Sequence, residues 1–305
     1  MDRRDFLKDV ALWSAGALSS VPVFQLGRNA LAAESPLPLV AFAESKDWTK
    51  IVAAAIAPLG GMKAFVKEGA DVCVKPNASF DRTPEQAANA HPDVVKSVVQ
   101  MCLDAGAKKV TVFDRTLYEK RRCYINSGIG PALETIKDKR LNLIHSDDRD
   151  YVPVKIEGGI SFKKWSFHKS ALHADAYINI PVAKHHGSAK LSLGLKNILG
   201  IVGGSRGKIH WSLSQGIADL NKVVRPTLTV IDATRILLRH GPSGGNLEDV
   251  AVKNMVIASA DTVAADSYAA KTLFGMEPVE IPHIEAAYKV GLGEMNLSRI
   301  KVLRG

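Results

Sequence analysis

The sequence predicts an α/β protein with a mostly parallel, Rossmann-like sheet flanked by helices. Three observations carry this. Short apolar runs rich in Val and Ile recur along the chain, at Asp71–Lys75, Lys109–Asp114, Ala176–Pro181 and Thr227–Asp232. Segments with helical spacing of apolar residues stand between them. The 305 residues are 46% hydrophobic and carry 40 Lys and Arg against 31 Asp and Glu, which excludes a disordered chain. Alternation of strand and helix is the pattern of a parallel sheet covered on both faces.

The elements follow in order. Leu37–Ala43 is a first strand and Asp71–Lys75 a second, ended by Pro76-Asn77. His91-Pro92 then opens a helix in which Val94, Val95, Val98, Val99 and Cys102 make one apolar stripe, with Pro92 in its first turn and Gly106 past its end. Lys109–Asp114 is a strand, Ile129–Lys137 a helix and Leu141–His145 a strand. Tyr151 to Leu172 departs from the pattern: Val152–Ile156 and Ile160–Phe167 flank Gly158-Gly159 and read as a hairpin. The alternation resumes with the strand Ala176–Pro181, a Gly-rich basic stretch, a helix near Ser214–Val223 and the strand Thr227–Asp232. Val252–Ser259 is a strand, Asp261–Leu273 and Pro282–Val290 are helices, and Lys301–Leu303 is a last strand. Residues 33–305 are read as one α/β domain, with a division into two lobes near residue 150 as the alternative.

Residues 1–32 read as an address. Arg3-Arg4-Asp5-Phe6-Leu7-Lys8 matches the twin-arginine export pattern, and the apolar stretch from Val10 to Val23 is too short for a membrane span. Ala30-Leu31-Ala32 fits a small-x-small cleavage site, with Leu31-Ala32-Ala33 as a one-residue shift. The expectation is export by the Tat machinery, cleavage near Ala32 and a periplasmic protein with no membrane span in its mature part. Cleavage removes four basic and three acidic residues, so the positive balance belongs to the folded protein. Nucleic acid is not the expected partner, because the chain is read as exported and lacks interleaved aromatics.

Of the three cysteines, Cys73 sits in a strand and Cys102 on an apolar helix face, which predicts buried thiols. Cys123 follows Arg121-Arg122, which predicts a lowered pKa. One disulfide is compatible with an oxidising compartment, but three thiols do not make a self-contained iron–sulfur cluster.

Ligands of such sheets gather at the carboxyl ends of strands. The residues there are polar: Lys75-Pro76-Asn77, Asp114-Arg115, His145-Ser146-Asp147, Asn179 to His186, Asp232-Ala233 and Ser259 to Asp261. The densest segment runs from Asn179 through Lys184-His185-His186, Lys190 and Lys196-Asn197 to His210-Trp211, with no acid between Asp175 and Asp219. So positive a stretch predicts a small anionic ligand such as a carboxylate or phosphate. Lys75, Lys184 and Lys190 are expected to hold the anion, and Asn77, Asn179 and Asn197 to orient polar groups. His186, Lys196 and Lys184 are the catalytic candidates, Lys196 as a base or cofactor anchor. His185 and His210 are the candidate ligands of a divalent metal, nickel, iron or zinc, and proton transfer is the other role open to the histidines. Asp261 is expected to cap its helix, and Asp261 and Asp266 are further metal candidates. Gly203-Gly204-Ser205-Arg206-Gly207 and Gly241-Pro242-Ser243-Gly244-Gly245 are loops able to cover the site.

Val74-Lys75-Pro76-Asn77, His91-Pro92, Ala105-Gly106-Ala107, Lys184-His185, Leu193-Gly194-Leu195-Lys196-Asn197-Ile198-Leu199-Gly200, Asp232-Ala233 and Ala258-Ser259-Ala260-Asp261 together resemble the domain-of-unknown-function-362 family. Many members of that family carry a ferredoxin segment; this sequence has no CxxC. A more distant resemblance is to the lactate racemase family, in which a lysine anchors a nickel-pincer nucleotide and a downstream histidine ligates nickel. Lys196 falls on that lysine, His210 on that histidine and His186 on a proton-transfer histidine. Leu193-Gly194-Leu195 departs from the family's small-residue run, and no Gly-Thr-His follows the strand at Val110–Asp114. The resemblance therefore implies the fold and the place of the site, and not the pincer or racemisation. The expected function is a metal- or cofactor-dependent enzyme acting on a hydroxy acid or sugar acid by isomerase- or racemase-like proton or hydride transfer. The rivals are a non-catalytic metal- or anion-binding protein and an accessory protein of an exported redox complex.

Overall fold

Val72, Val74, Val110, Val112, Ile178 and Ile180 are buried against one set of helices, while Cys73, Phe113 and Tyr177 between them are buried against another. Alternate side chains of a strand point to opposite faces, so these residues must lie in a sheet covered on both sides. The computed structural model describes residues 37–305; the export segment read from Arg3 to Ala32 lies outside the described residues.

The strands, in chain order, are β1 (Leu39–Glu44), β2 (Asp71–Pro76), β3 (Lys109–Val112), β4 (Leu141–Leu143), β5 (Tyr151–Lys155), β6 (Lys164–His168), β7 (Ala176–Ile180), β8 (Val182–His186), β9 (Lys190–Ser192), β10 (Leu228–Leu237), β11 (Val250–Ser259) and β12 (Lys301–Arg304). The main sheet has the order β12-β1-β11-β10-β7-β2-β3-β4. The β10-β7-β2-β3-β4 half is parallel throughout. β11 is the exception, antiparallel to both β10 and β1. β8 continues beside β10 and turns back through the antiparallel β9. β5 and β6 form a separate antiparallel pair, the hairpin expected between Val152 and Phe167. Residues 37–305 cluster as one compact unit, and the sheet crosses residue 150 without a break.

The Trp48–Ile56, Pro92–Asp104 and Ile129–Glu134 helices cover one face. The Leu213–Asn221, Thr262–Phe274 and Pro282–Lys289 helices cover the other. The Pro92–Asp104 helix shows why these residues choose this form. Its four valines, Cys102 and Leu103 are all buried on one side. Each such side chain taken out of water contributes about 1.5–3 kcal/mol. Pro92 occupies the first turn, and His91 caps the helix by accepting from Asp93 N–H.

Three expectations change. The Trp48–Ile56 helix was not expected, because Ala53-Ala54-Ala55 gives little periodic signal. Val182–His186 and Lys190–Ser192 are strands rather than loop: Lys184 and His186 are buried instead of solvated, Lys184 against Asn77 and the Ala88 carbonyl and His186 against the N–H groups of Ser188 and Ala189. β10 runs on to Leu237, so Asp232-Ala233 lies inside a strand and not past its end.

Candidate functional site

β2 ends in Lys75-Pro76-Asn77, and parallel register brings it beside the end of β7, with Lys75 opposite Asn179 and Pro76 opposite Ile180. The chain then turns directly into β8, which carries Lys184 and His186. Their side chains meet in a cavity of about 300 Å³ that also takes in Asn77, Lys196, Asn197, Arg206 and His210. The cavity therefore sits at the carboxyl ends of the parallel strands, where the fold exposes unpaired backbone. β11 runs the other way, with Ser259 opposite Thr229, so the chain leaves it toward the amino ends of the parallel strands, and Ser259 to Asp261 do not line the cavity.

The three lysines are not equivalent. Lys75 is almost wholly buried and forms an ion pair with Asp114, Nζ to Oδ1 3.0 Å, while also donating to Asn197 Oδ1. Asp114 Oδ2 accepts from Ala78 N–H at 2.8 Å and Ser79 Oγ at 2.9 Å. Burial lowers the Lys75 pKa and the Asp114 carboxylate works against that lowering. Lys184 has only neutral partners: it donates to Asn77 Oδ1 at 2.8 Å and to the Ala88 carbonyl, and lies 4.5 Å from the centroid of the Phe80 ring. Burial first, and then Lys196 and Lys75, push it well below the ordinary lysine range. Lys196 has no carboxylate or hydrogen-bond acceptor among the described residues and lines the cavity. Burial, Lys75 and Arg206 bring its pKa down to about 7.

Lys196 is aimed by its backbone. It lies on a single helical turn, Gly194–Asn197. The buried Asp266 accepts from Gly194 N–H at 2.7 Å and from Leu195 N–H at 2.8 Å, and so holds the start of that turn. A Cβ on Gly194 would come within 2.8 Å of Asp266 Oδ1 and 2.7 Å of Thr262 Cγ2, which is why glycine stands there. Burial raises the Asp266 pKa to about 7, and the two N–H donors moderate the rise. Asn179 supports the turn from behind, donating to the Gly194 carbonyl at 3.0 Å and accepting from Asn197 Nδ2 at 2.8 Å. It is a brace rather than a wall of the cavity.

The histidines divide by tautomer. His186 Nδ1 accepts from the N–H groups of Ser188 and Ala189, each at 3.2 Å. A nitrogen that accepts two backbone protons holds none of its own, so Nε2 carries the ring hydrogen. Burial, Lys196 and Lys184 lower the His186 pKa to about 3. His186 is thus a neutral N–H donor, and it has no free lone pair for a metal. His185 points to the other face of β8, away from the cavity, and its Nδ1 accepts from Gly241 N–H at 3.2 Å. The same reasoning places its proton on Nε2, which does not suit the metal role expected of it. His210 stands at the mouth, exposed, with a pKa lowered by burial and by Lys196.

Lys75, Asn77, Lys184, His186, Lys196, Asn197 and His210 come together, whereas His185 and Lys190 line a separate depression. Asp261 accepts from Ala264 and Glu294 N–H groups, so it and Asp266 are engaged with backbone rather than poised for a metal. No group of three or more His, Cys, Asp or Glu with metal-binding geometry occurs among the described residues. Cys123 is buried, and burial pushes its thiol up to about 11 in spite of Arg121 and Arg122. All three cysteines are free.

Two site residues were not singled out by the sequence. Arg206 lines the cavity and is fixed by donating to the carbonyls of Arg115, Leu199 and Thr116. Its signal was its place in the Gly-rich segment between Lys196 and His210. Asp114 was visible only as a polar residue after a strand. Pro242, from the second Gly-rich loop, also lines the cavity, and that loop is tied down by Arg82 and Gln86 donating to the Ser243 and Gly245 carbonyls.

The model for a domain of unknown function, DUF362, matches residues 72–271. A thylakoid-associated protein of Synechocystis sp. is 28% identical over 250 residues, 77% of this chain and 72% of that protein. Two solved structures are similar at lower levels. The crystal structure of a Thermotoga maritima protein shares 14% identity at a TM-score of 0.41, over 79% of this chain and 59% of that one. The lactate racemase apoprotein from Thermoanaerobacterium thermosaccharolyticum shares 11% identity at a TM-score of 0.40, over 73% of this chain and 54% of that one. The chain thus spans between half and three-fifths of the length of these two solved proteins.

Proposed function

This chain belongs to the domain-of-unknown-function-362 family, and from that premise we propose that its lysine-rich cavity binds a small carboxylate, a hydroxy acid or sugar acid, and moves a proton on it in an isomerase-like reaction. One observation carries the reading. Lys196 faces a cavity that also holds Lys75, Lys184 and Arg206, with Asp114 already paired to Lys75. A carboxylate entering it meets several cationic donors in a partly desolvated space, where charge-assisted hydrogen bonds are strongest.

The division of labour follows from the partners. Lys75 is held charged beside Asp114 and, with Arg206, supplies fixed positive field. His186 offers Nε2–H to a substrate oxygen. Lys196, titrating at about 7, is present in both its charged and neutral forms near neutral pH. A group that removes a proton and returns it needs that balance. His210 at the mouth is the second group able to exchange a proton. The Nδ1 atoms of His185 and His186 accept from backbone N–H groups, and no step is routed through a metal at these rings.

The test is solvent exchange. Lactate, glycerate and gluconate are incubated with the full chain in D2O, and deuterium at C2 is followed by NMR. Incorporation that disappears in Lys196→Met supports the reading. Tight binding without exchange favours a non-catalytic anion-binding protein instead. The export reading of residues 1–32 is separate, and N-terminal sequencing of protein from a periplasmic fraction tests it: an N-terminus at residue 33 supports cleavage after Ala32.

A further inference from the structure

Of the three amines in the cavity, two are spoken for. Lys75 is bound to Asp114 and Asn197, and Lys184 is enclosed by Asn77, the Ala88 carbonyl and the Phe80 ring. Lys196 alone presents an amine with no acceptor among the described residues, on a turn that Asp266 holds in place. An unengaged, rigidly mounted amine in a cationic pocket is suited to more than proton transfer.

We propose that Lys196 is a nucleophile that forms an imine with the carbonyl carbon of a 2-oxo acid. This rests on the anion-pocket reading and adds 2-oxo acids to its substrate class. The lone pair of Nζ attacks the carbonyl carbon, a C–N bond forms, and the C=O π bond breaks onto oxygen. That oxygen takes up a proton and then leaves as water; the two hydrogens of the amine account for those in the water, and a C=N bond remains. Nothing is oxidised or reduced. His186 Nε2–H is the donor in the same cavity for the developing oxygen, and Lys75 and Arg206 provide for the carboxylate. Burial and those two neighbouring cations keep a fraction of Lys196 neutral near pH 7, as the attack requires. The imine in turn acidifies the C–H at C3 of the oxo acid, a different position from the C2–H of a hydroxy acid.

The experiment is reductive trapping on the full chain. Pyruvate and glyoxylate are added with borohydride, and intact mass and peptide mapping locate the adduct. Binding of lactate, which has no carbonyl, is measured alongside by calorimetry. The expected result is one equivalent of adduct at Lys196, absent in Lys196→Arg, whose fold is checked by circular dichroism, and retained in Lys190→Arg. Lactate binding without a Lys196 adduct overturns the imine and leaves the pocket reading standing. Adduct spread evenly over surface lysines in both variants overturns it as well. If neither lactate nor the oxo acids bind, the pocket reading fails and the imine with it.

Discussion

Lys75 Nζ lies 3.0 Å from Asp114 Oδ1, and each residue is only about 1% exposed. Gly200 faces this pair so closely that a Cβ there would stand 1.8 Å from Asp114 Oδ1 and 2.2 Å from Lys75 Cε. The glycine in the Ile198-Leu199-Gly200 run is therefore needed to seat a buried charge pair beside the cavity. Gly200→Ala is expected to cost about 1–3 kcal/mol by overpacking. Lys75→Met is expected to cost about 3–5 kcal/mol, because it leaves the Asp114 charge buried without its partner. Urea denaturation checks both, and Lys75→Met as stable as the parent would mean that Asp114 is satisfied without Lys75.

Asp266 gives a second prediction, with a sign. Burial raises its folded pKa from 3.8 to about 7, so the folded state holds a proton there that the unfolded state has released. Its contribution is present below about pH 4 and is lost as pH rises through about 7. Asp266→Asn removes that slope and keeps an oxygen for only one of the two N–H groups of Gly194 and Leu195. The expected outcome is a loss of about 1–3 kcal/mol near pH 5 and a smaller loss at pH 8, read from urea melts at the two values. Equal losses would show that the carboxyl does not titrate in that window.

The fold was legible where burial alone sets the pattern. β2, β3 and β7 are covered on both faces, so they read as short, mostly apolar runs whatever their neighbours. The direction of β11 was not legible, because antiparallel and parallel strands share one local pattern and differ only in which strand they meet. β8 was misread for a related reason. Lys184 and His186 look solvated in sequence, and what buries them is distant in the chain: Asn77, Phe80 and Ala88 around Lys184, and Lys196 near His186. Lys184 and Lys196 are legible from an acid-free stretch and Lys75 from its place at a strand end, which are local properties. Arg206 and Asp114 were passed over because their roles rest on pairings across the fold. The exclusion of His185 needed the alternation of β8, which a reading of that segment as loop does not supply.

His186 yields a spectroscopic prediction. With Nδ1 accepting from Ser188 and Ala189 and the pKa lowered to about 3, the ring stays neutral with its proton on Nε2 throughout pH 5 to 8. Nitrogen-15 NMR of labelled imidazole is expected to show a protonated Nε2 and an unprotonated Nδ1 that do not titrate in this range. A midpoint near 6.5 would return His186 to the role of acid and base.

The metal expectation meets its test in chelation. His185 and His186 both accept from backbone N–H groups through Nδ1, and among the described residues no imidazole other than those of His186 and His210 lines the cavity. Prolonged dialysis of the full chain against EDTA is expected to leave lactate binding unchanged within twofold. A tenfold loss restored by nickel, iron or zinc would show that a metal site forms from groups not brought together in this arrangement.

The last prediction separates the two jobs of Lys196 by pH. Its pKa is depressed to about 7, so its charge is present below that value and is lost as pH rises through it. Binding of lactate uses the charge, and a charge-assisted hydrogen bond contributes about 1.5–3 kcal/mol. Affinity is therefore expected to fall roughly ten- to thirtyfold between pH 6 and pH 8.5, a range capped by the loss of the charged fraction. Attack on a 2-oxo acid uses the neutral amine, so trapping of pyruvate should rise over the same interval while lactate binding falls. Lys196→Met is expected to flatten both profiles, leaving lactate at the weak affinity that the parent shows at pH 8.5. Calorimetry and trapping at matched pH values measure the two curves. Parallel curves, or a crossing retained in Lys196→Met, would assign the titrating group to another residue, with His210 at the cavity mouth the first to examine.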